Sequence, residues 1–151
     1  MNDDQSMGPW VAYVDGSALP NPGRMGLGAV WTAPDGACHT LSQATHSIGC
    51  NNEAELRALM AVLRELQREG ATAIVVHSDN SVVVQQVGGH TAKPIARLAA
   101  LFDEARTLFQ SFEDARLMWI PQHRNAEADA LARAALGMGE RVLKLPKKRR
   151  R

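Results

Sequence analysis

Four acidic residues fall at the ends of predicted strands and helices: Asp15, Glu55, Asp79 and Asp129. Asp15 and Asp79 each end an apolar strand, and open α/β sheets bind ligands just outside such strand ends. Carboxylates brought that close repel each other, so a bound divalent cation best explains several acids at one place. Oxygen ligands select Mg²⁺ or Mn²⁺, and two such ions about 3.5–4 Å apart activate water and stabilise a leaving oxygen in phosphodiester hydrolysis. The pattern therefore indicates metal-dependent chemistry on a phosphodiester.

Each acid also has a purely structural interpretation. Asp15 can serve the turn that follows it, Asp79 can cap the helix behind it, and Asp129 can favour the positive end of its helix. Glu55 lies in the first turn of a helix, and with Asn52 as the cap residue the two form a capping-box pair. No single acid decides between the two interpretations, but four acids at element ends favour a common site.

The elements that must position these acids follow from periodicity and turn residues. Short apolar runs predict strands at 10–15, 27–33, 37–46, 73–77 and 117–120, and the run at 73–77 suits burial on both faces. Apolar stripes predict a helix at 52–69, a short one ended by Gly88 and Gly89, a longer one to Phe112 opened by Pro94, and a last one starting near Asn125. This order predicts the α/β class, a five-stranded mixed sheet of three antiparallel and then parallel strands, flanked by helices.

Composition places the chain among proteins with one core. It has 151 residues and 16.4 kDa, with 45% hydrophobic and 22% charged residues, which excludes fibrous and disordered classes. The two cysteines, Cys38 and Cys50, form neither a disulfide framework nor a zinc module, which favours a reducing compartment. No apolar run is long enough to span a membrane and the first residues are acidic, so a cytoplasmic location is expected.

The net charge of +1 hides an asymmetry between the C-terminal end and the rest of the chain. Residues 140–151 contain seven Lys or Arg and one acid, whereas residues 1–139 contain 10 basic and 15 acidic residues. Such a basic tail either attracts phosphate backbones or is a solvated, disordered end. The predicted organisation is a disordered segment at 1–9, a domain at 10–139 and a basic tail at 140–151.

Four ordered motifs stand out along the chain, namely VAYVDGSALPNPG at 11–23, NNEAEL at 51–56, HSDN at 77–80 and WIPQHRNAEADALA at 119–132. Together they resemble ribonuclease HI, and the resemblance spans roughly residues 10–137. Each motif aligns one acid with the family's Asp-Glu-Asp-Asp set. The resemblance implies a ribonuclease H-like fold and places the four acids of the set on Asp15, Glu55, Asp79 and Asp129.

The same resemblance implies a reaction, namely cleavage of the RNA strand of RNA/DNA hybrids to leave 5′-phosphate and 3′-hydroxyl ends. Two Mg²⁺ or Mn²⁺ ions are implied, with Asp15 bridging both. Glu55 and Asp79 are implied to share the ion that activates water, with Glu55 also near the RNA 2′-hydroxyl. Asp129 is implied to hold the ion nearer the leaving oxygen.

Further residues are candidates for proton transfer and for substrate binding. The resemblance implies that His123 lies near the leaving group, and an imidazole exchanges protons near neutral pH. Arg124 beside it is a candidate phosphate contact. A hybrid is recognised by its shape and 2′-hydroxyls rather than by base edges, and the candidate contacts are Gly16, Ser17, Asn51 and Asn52. Turn geometry at Gly16 and helix capping by Asn52 are the structural alternatives.

Two features depart from the family pattern. Cys50 stands where the family often has a threonine lining a pocket for a DNA-strand phosphate, and a thiol is a poorer donor. The segment between Asp79 and Lys93 is short and lacks the Trp- and Lys-rich helix with which many bacterial members grip the DNA strand. The basic tail is a candidate replacement for part of that grip.

Two alternatives to a hybrid-specific nuclease stay open. One is a non-catalytic nucleic-acid-binding domain of the same fold, disfavoured because all four acids are present. The other is a related metal-dependent nuclease that also cuts double-stranded RNA, disfavoured by the NNEAEL motif. A monomer without a membrane contact or an obligate protein partner is expected. Trp10, Trp31 and Trp119 lie in or beside strands and are expected in the core.

Overall fold

Five strands form one mixed sheet in the order β3-β2-β1-β4-β5. The computed structural model describes residues 8–89 and 96–138. The strands are β1 (Trp10–Leu19), β2 (Gly23–Thr32), β3 (Cys38–Gly49), β4 (Ala73–Ser78) and β5 (Asp114–Trp119). The first three strands are antiparallel, while β4 is parallel to β1 and β5 is parallel to β4. The predicted α/β class and mixed sheet are confirmed.

The described residues form four α-helices, of which the first and the last pack directly on opposite faces of the sheet. The four helices are α1 (Asn51–Arg68), α2 (Ser81–Val83, continued by a π-helical turn at Val84–Gly88), α3 (Ala99–Gln110, preceded by a 3₁₀ turn at Ala96–Leu98) and α4 (Ala126–Ala135). Helix α1 packs against β1, β2 and α3, whereas α4 packs against β1, β2 and β3. No helix among the described residues has the length and apolar character needed to cross a membrane.

The main core lies between the sheet and the face formed by α1 and α3. Leu56, Leu59, Leu63 and Leu66 recur at helical spacing on α1 and are fully buried. Phe102 of α3 packs into the same cluster. The sheet contributes alternate residues, as the period of a strand requires, namely Ala12, Val14, Ala29, Ile74 and Val76. Each large side chain buried here contributes about 1.5–3 kcal/mol to folding.

Several predicted boundaries are wrong. β1 does not end at Asp15, because residues 16–19 continue to pair with β2 and only the segment between Leu19 and Gly23 turns. β3 runs on to Gly49, and β5 starts at Asp114 because it pairs in register with β4 from Ala73 onward. Helix α3 ends before the buried Phe112, and the Pro94 that was expected to open it lies outside the described residues. The segments predicted at 1–9 and 140–151 also lie wholly or mostly outside them.

Two expectations about burial are also wrong. In β4 only alternate residues are buried, since Val75 and His77 remain half-buried. Helix α4 packs against β1, β2 and β3 rather than against β4, so it does not bury the second face of the apolar run in β4. Trp31 is in the core and Trp10 is half-buried, but Trp119 is 53% exposed at the end of the edge strand β5.

Candidate active site

The parallel pairing of β1 and β4 brings two aspartates side by side. Val14 pairs with Ser78, so the residues that follow them, Asp15 and Asp79, lie next to each other. Asp15 is buried within β1, while Asp79 directly follows β4 and is half-buried. One carboxylate oxygen each of Asp15, Asp79 and Glu55 lie within 4.8 Å of one another. The structure thus brings three of the four predicted acids into one group.

Glu55 reaches this group because β1 and α1 approach each other closely at Gly16. A Cβ on Gly16 would overlap the carbonyl of Ala54, so only glycine permits this contact. The backbone N–H of Gly16 favours the ionised Glu55 carboxylate and so acts to lower the pKa of Glu55. The predicted capping pair is wrong, because Cys50 caps α1 and Glu53 is the acid in the first turn, so Glu55 lies just beyond that turn. The burial of Glu55 at 7% exposure is therefore not explained by helix capping.

Asp129 approaches the group from the opposite face of the sheet. It lies in the first turn of α4, as predicted, and is buried. A Cβ on Gly28, the β2 residue paired with Asp15, would overlap the carbonyl oxygen of Ala128. The Asp129 carboxyl group raises the pKa of Asp15 both through hydrogen bonding and through its charge. Among the described residues it is not a member of the 4.8 Å group, so it sits at the border of the cluster.

Burial and mutual repulsion change the protonation of these acids. Burial is the largest cause that raises the pKa of Asp15 from 3.8 to about 7; the hydrogen bond with Glu55 acts in the opposite direction, and the Asp79 and Asp129 charges add to the rise. Burial, followed by the charge of Asp15, also raises the pKa of Glu55 well above its ordinary range. Without a cation, the cluster therefore retains protons near neutral pH.

This protonation predicts a pH dependence of stability. Because the folded-state pKa of Asp15 lies above its unfolded value, its protonation stabilises the metal-free protein below about pH 4, and this stabilisation is lost as the pH rises toward 7. We expect the free energy of unfolding in EDTA to fall between pH 5 and pH 7, and added Mn²⁺ to restore it at pH 7. Urea unfolding followed by circular dichroism measures both effects. The variant Asp15→Asn is the control and should show a flatter profile; a wild-type profile that rises through this window would contradict the prediction.

The donor set fits a hard divalent cation. Carboxylate oxygens are the ligands that Mg²⁺ and Mn²⁺ prefer, and the group carries excess negative charge. Within the described part of the chain, the buried Oε1 of Glu55 has no hydrogen-bond partner. A buried acceptor without a partner is costly, and a cation would satisfy it.

The asparagines predicted to bind substrate join the elements around the cluster. Asn51 Oδ1 accepts a hydrogen bond from Ala18 N at 2.8 Å, which links α1 to the β1–β2 hairpin. Asn52 Oδ1 accepts one from Asn80 Nδ2 at 2.8 Å, which links α1 to the segment after β4. Each bond uses the amide oxygen, so the NH₂ end is the part offered to a ligand. Ser17 is half-buried within the β1–β2 ladder.

His123 and Arg124 lie on the short 3₁₀ turn Gln122–Arg124 between β5 and α4. Both side chains are exposed. Arg124 also lines a cavity of about 160 Å³ together with Tyr13 and Glu127. The turn leads directly into α4, so both residues lie on the segment that carries Asp129.

Cys50 acts as an acceptor rather than a donor. Its Sγ accepts hydrogen bonds from Glu53 N at 3.4 Å and from Arg97 Nη2 at 3.3 Å. Burial acts to raise the pKa of the thiol, but the Glu53 N–H and the Arg97 guanidinium outweigh it, so the pKa is lowered. The positive charge at this position therefore comes from Arg97, a residue outside the four sequence motifs.

Two further residues that position the acids were missed, namely Gly28 and Asn125. A glycine inside an apolar strand was a usable signal for Gly28, because such glycines often mark a close backbone approach. For Asn125 the sequence indicated only that the last helix starts near it.

Asp79 does not cap the helix behind it, since Asn80 Oδ1 accepts hydrogen bonds from the N–H groups of Val82 and Val83. Helix capping therefore does not explain the presence of Asp79 at this position.

The chain is similar in sequence and in fold to known proteins. A family model described as reverse transcriptase-like matches residues 13–135. The chain is 36% identical over 129 residues to the bifunctional protein Rv2228c of Mycobacterium tuberculosis; the match covers 83% of this chain but only 35% of that protein, so the chain spans about a third of this relative. The crystal structure of RNase H1 from Halobacterium salinarum has a TM-score of 0.79 and 31% identity, covering 86% of this chain and 98% of that one.

A second solved structure was determined with nucleic acid bound. LC11-RNase H1 in complex with an RNA/DNA hybrid has a TM-score of 0.74 and 29% identity, and the match covers 85% of this chain and 96% of that chain. The family match covers most of the described residues, and the halophilic RNase H1 is matched over nearly its whole length. The chain therefore belongs to the ribonuclease H family.

Proposed function

We propose that this chain hydrolyses the RNA strand of RNA/DNA hybrids with two Mg²⁺ or Mn²⁺ ions, leaving 5′-phosphate and 3′-hydroxyl ends. The observation that carries the proposal is the convergence of Asp15, Glu55 and Asp79 within 4.8 Å, with a buried Glu55 oxygen that lacks a partner among the described residues. Membership of the ribonuclease H family and the hybrid bound to LC11-RNase H1 support the choice of substrate.

The four acids would hold the ions. Asp15 is central because it contacts both Glu55 and Asp129 and lies beside Asp79, which suits a ligand that bridges two ions. Glu55 and Asp79 would hold the ion on the water side and Asp129 the ion on the leaving-group side. When bound, the ions supply an activated water and neutralise charge on the leaving oxygen. All four acids come from one chain, so a monomer would contain the whole proposed site.

The remaining candidate residues would bind and orient the hybrid. His123, exposed ahead of α4, would transfer a proton at the leaving 3′-oxygen, and Arg124 would contact a phosphate. Gly16 and Ser17 would approach the minor groove through their backbone, and Asn51 and Asn52 through their amide NH₂ groups. Arg97 supplies a cation beside Cys50, at the position where the family pattern suggests a pocket for a DNA-strand phosphate.

The direct test is cleavage of a 5′-labelled RNA annealed to DNA. Double-stranded RNA, single-stranded RNA and duplex DNA of matched sequence are assayed in parallel, each with Mg²⁺, Mn²⁺ or EDTA. We expect metal-dependent cleavage of the hybrid alone, with 3′-hydroxyl ends on the products. Cleavage of double-stranded RNA would broaden the substrate class, and hybrid binding without cleavage would show a non-catalytic binding domain.

A further inference from the structure

Asn125 is a buried amide that touches the candidate site without being one of its acids. It lies at the start of α4 with only 2% of its surface exposed. Its Nδ2 donates to the carbonyl oxygen of Val14 at 2.8 Å and to Oδ2 of Asp79 at 3.1 Å. A single NH₂ group therefore links the backbone just before Asp15 to the carboxylate of Asp79 through two hydrogen bonds.

The same residue also links the site to α4. The backbone oxygen of Asn125 accepts the N–H of Asp129 at 3.1 Å, in the first turn of the helix. Asn125 thus contacts three of the segments that carry acids, namely β1, the residue after β4, and α4. Helix α1, which carries Glu55, is positioned separately by Gly16.

The chemistry of the amide suits this place better than other side chains would. An acid at position 125 would add another negative charge to the cluster, while an aliphatic side chain of similar shape would donate nothing to Asp79. The Oδ1 of Asn125 is buried without a partner within the described ranges, which costs free energy. Stability alone therefore does not explain an asparagine at position 125. The hydrogen bond from its amide to Asp79 gives a reason for this residue type.

We propose that Asn125 is a positioning residue that fixes the orientation of the Asp79 carboxylate against β1 and thereby sets the affinity of the cluster for divalent cations. The proposal rests on the proposed function for the identity of the cations as cofactors. Hydrogen bonds to metal-binding carboxylates typically change metal affinity or activity by tenfold or more when they are lost.

The test measures Mn²⁺ binding to the free protein, by the electron paramagnetic resonance signal of unbound Mn²⁺, and the Mg²⁺ dependence of hybrid cleavage. The variants are Asn125→Leu, which keeps nearly the shape, and Asn125→Ala. Val62→Ala removes buried methyl groups from α1 and serves as a control for a general loss of stability. Melting temperatures are recorded for all proteins.

We expect Asn125→Leu and Asn125→Ala to raise the Mn²⁺ dissociation constant and the half-saturating Mg²⁺ concentration about tenfold. The KM for the hybrid at saturating metal should stay within about twofold, and Val62→Ala should lower only the melting temperature. Unchanged Mn²⁺ binding in both Asn125 variants, an equal change in Val62→Ala, or a wild type that binds no Mn²⁺ would overturn the proposal. A wild type that binds Mn²⁺ but leaves hybrids intact contradicts the proposed function, and the Mn²⁺ comparison still decides the role of Asn125.

Discussion

Replacing Asp15 by Asn should lower the rate of hybrid cleavage sharply while stabilising the metal-free protein. Asp15 lies at the centre of the cluster, so loss of its charge weakens the binding of both proposed ions and lowers the cleavage rate on the order of a thousandfold. Above pH 7 the wild-type carboxylate is ionised, buried and close to Asp79, whereas the amide is neutral and nearly the same shape. For each unit by which the fold raises the pKa of Asp15, the substitution should increase the free energy of unfolding at this pH by about 1.4 kcal/mol.

The two effects are measured on the same preparations. Cleavage of the labelled hybrid is followed at pH 8 with Mg²⁺, and urea unfolding is followed at pH 8 in EDTA. Asp114→Asn is the matched control, because Asp114 is an exposed aspartate at the start of β5 outside the cluster. The control should change neither quantity. Cleavage at the wild-type rate by Asp15→Asn would refute the catalytic assignment of this residue.

Replacing Gly28 by Ala should damage both stability and cleavage, although Gly28 bears no functional group. The added Cβ would overlap the carbonyl oxygen of Ala128 and would lie 2.5 Å from the N atom of Ala132, both in the backbone of α4. Backbone atoms cannot rotate away, so α4 must shift from the sheet and carry Asp129 with it. Overpacking of this kind costs about 1–3 kcal/mol. A displacement of about 1 Å at a catalytic group lowers the rate about a hundredfold.

Gly8→Ala is the control for the Gly28 variant, since a Cβ at Gly8 would meet nothing within 4 Å. Melting temperature and the rate of hybrid cleavage are compared for the two substitutions. The prediction fails if Gly28→Ala cleaves hybrids as fast as Gly8→Ala does. A lower melting temperature with an unchanged rate would show that α4 absorbs the added methyl group without moving Asp129.

Sequence patterns predicted a helix or a strand well where residues within one short stretch of the chain determine it. The apolar stripe of α1 and the short strand β4 follow from the spacing of residues within one window, and both appear near their predicted places. The order of strands and helices led correctly to a mixed sheet, and in it β1 and β4, the strands that position Asp15 and Asp79, are neighbours. The turn residues after Asp15 misled the prediction of β1, because pairing with β2 outweighed their local preference for a turn.

Local rules also failed where a contact from elsewhere in the chain decided the outcome. Asn52 was predicted to cap α1, but the helix starts earlier and Cys50 caps it. The Cys50 sulfur also accepts a hydrogen bond from Arg97, in the turn before α3. Trp119 was expected in the core, yet its strand is the edge of the sheet and its Nε1 donates to the Asp79 carbonyl oxygen at 3.2 Å.

The sequence by itself determined the residue types of the candidate site and their order, because the acids lie in short motifs that local spacing makes recognisable. Only the tertiary structure decided how close the acids lie, how deeply Glu55 is buried, and which residues hold them in place. Asn125 and Val14 are 111 positions apart in the chain. Gly28 likewise meets α4 only across the folded sheet. Contacts of this kind depend on how whole elements pack, and no window of the sequence contains both partners.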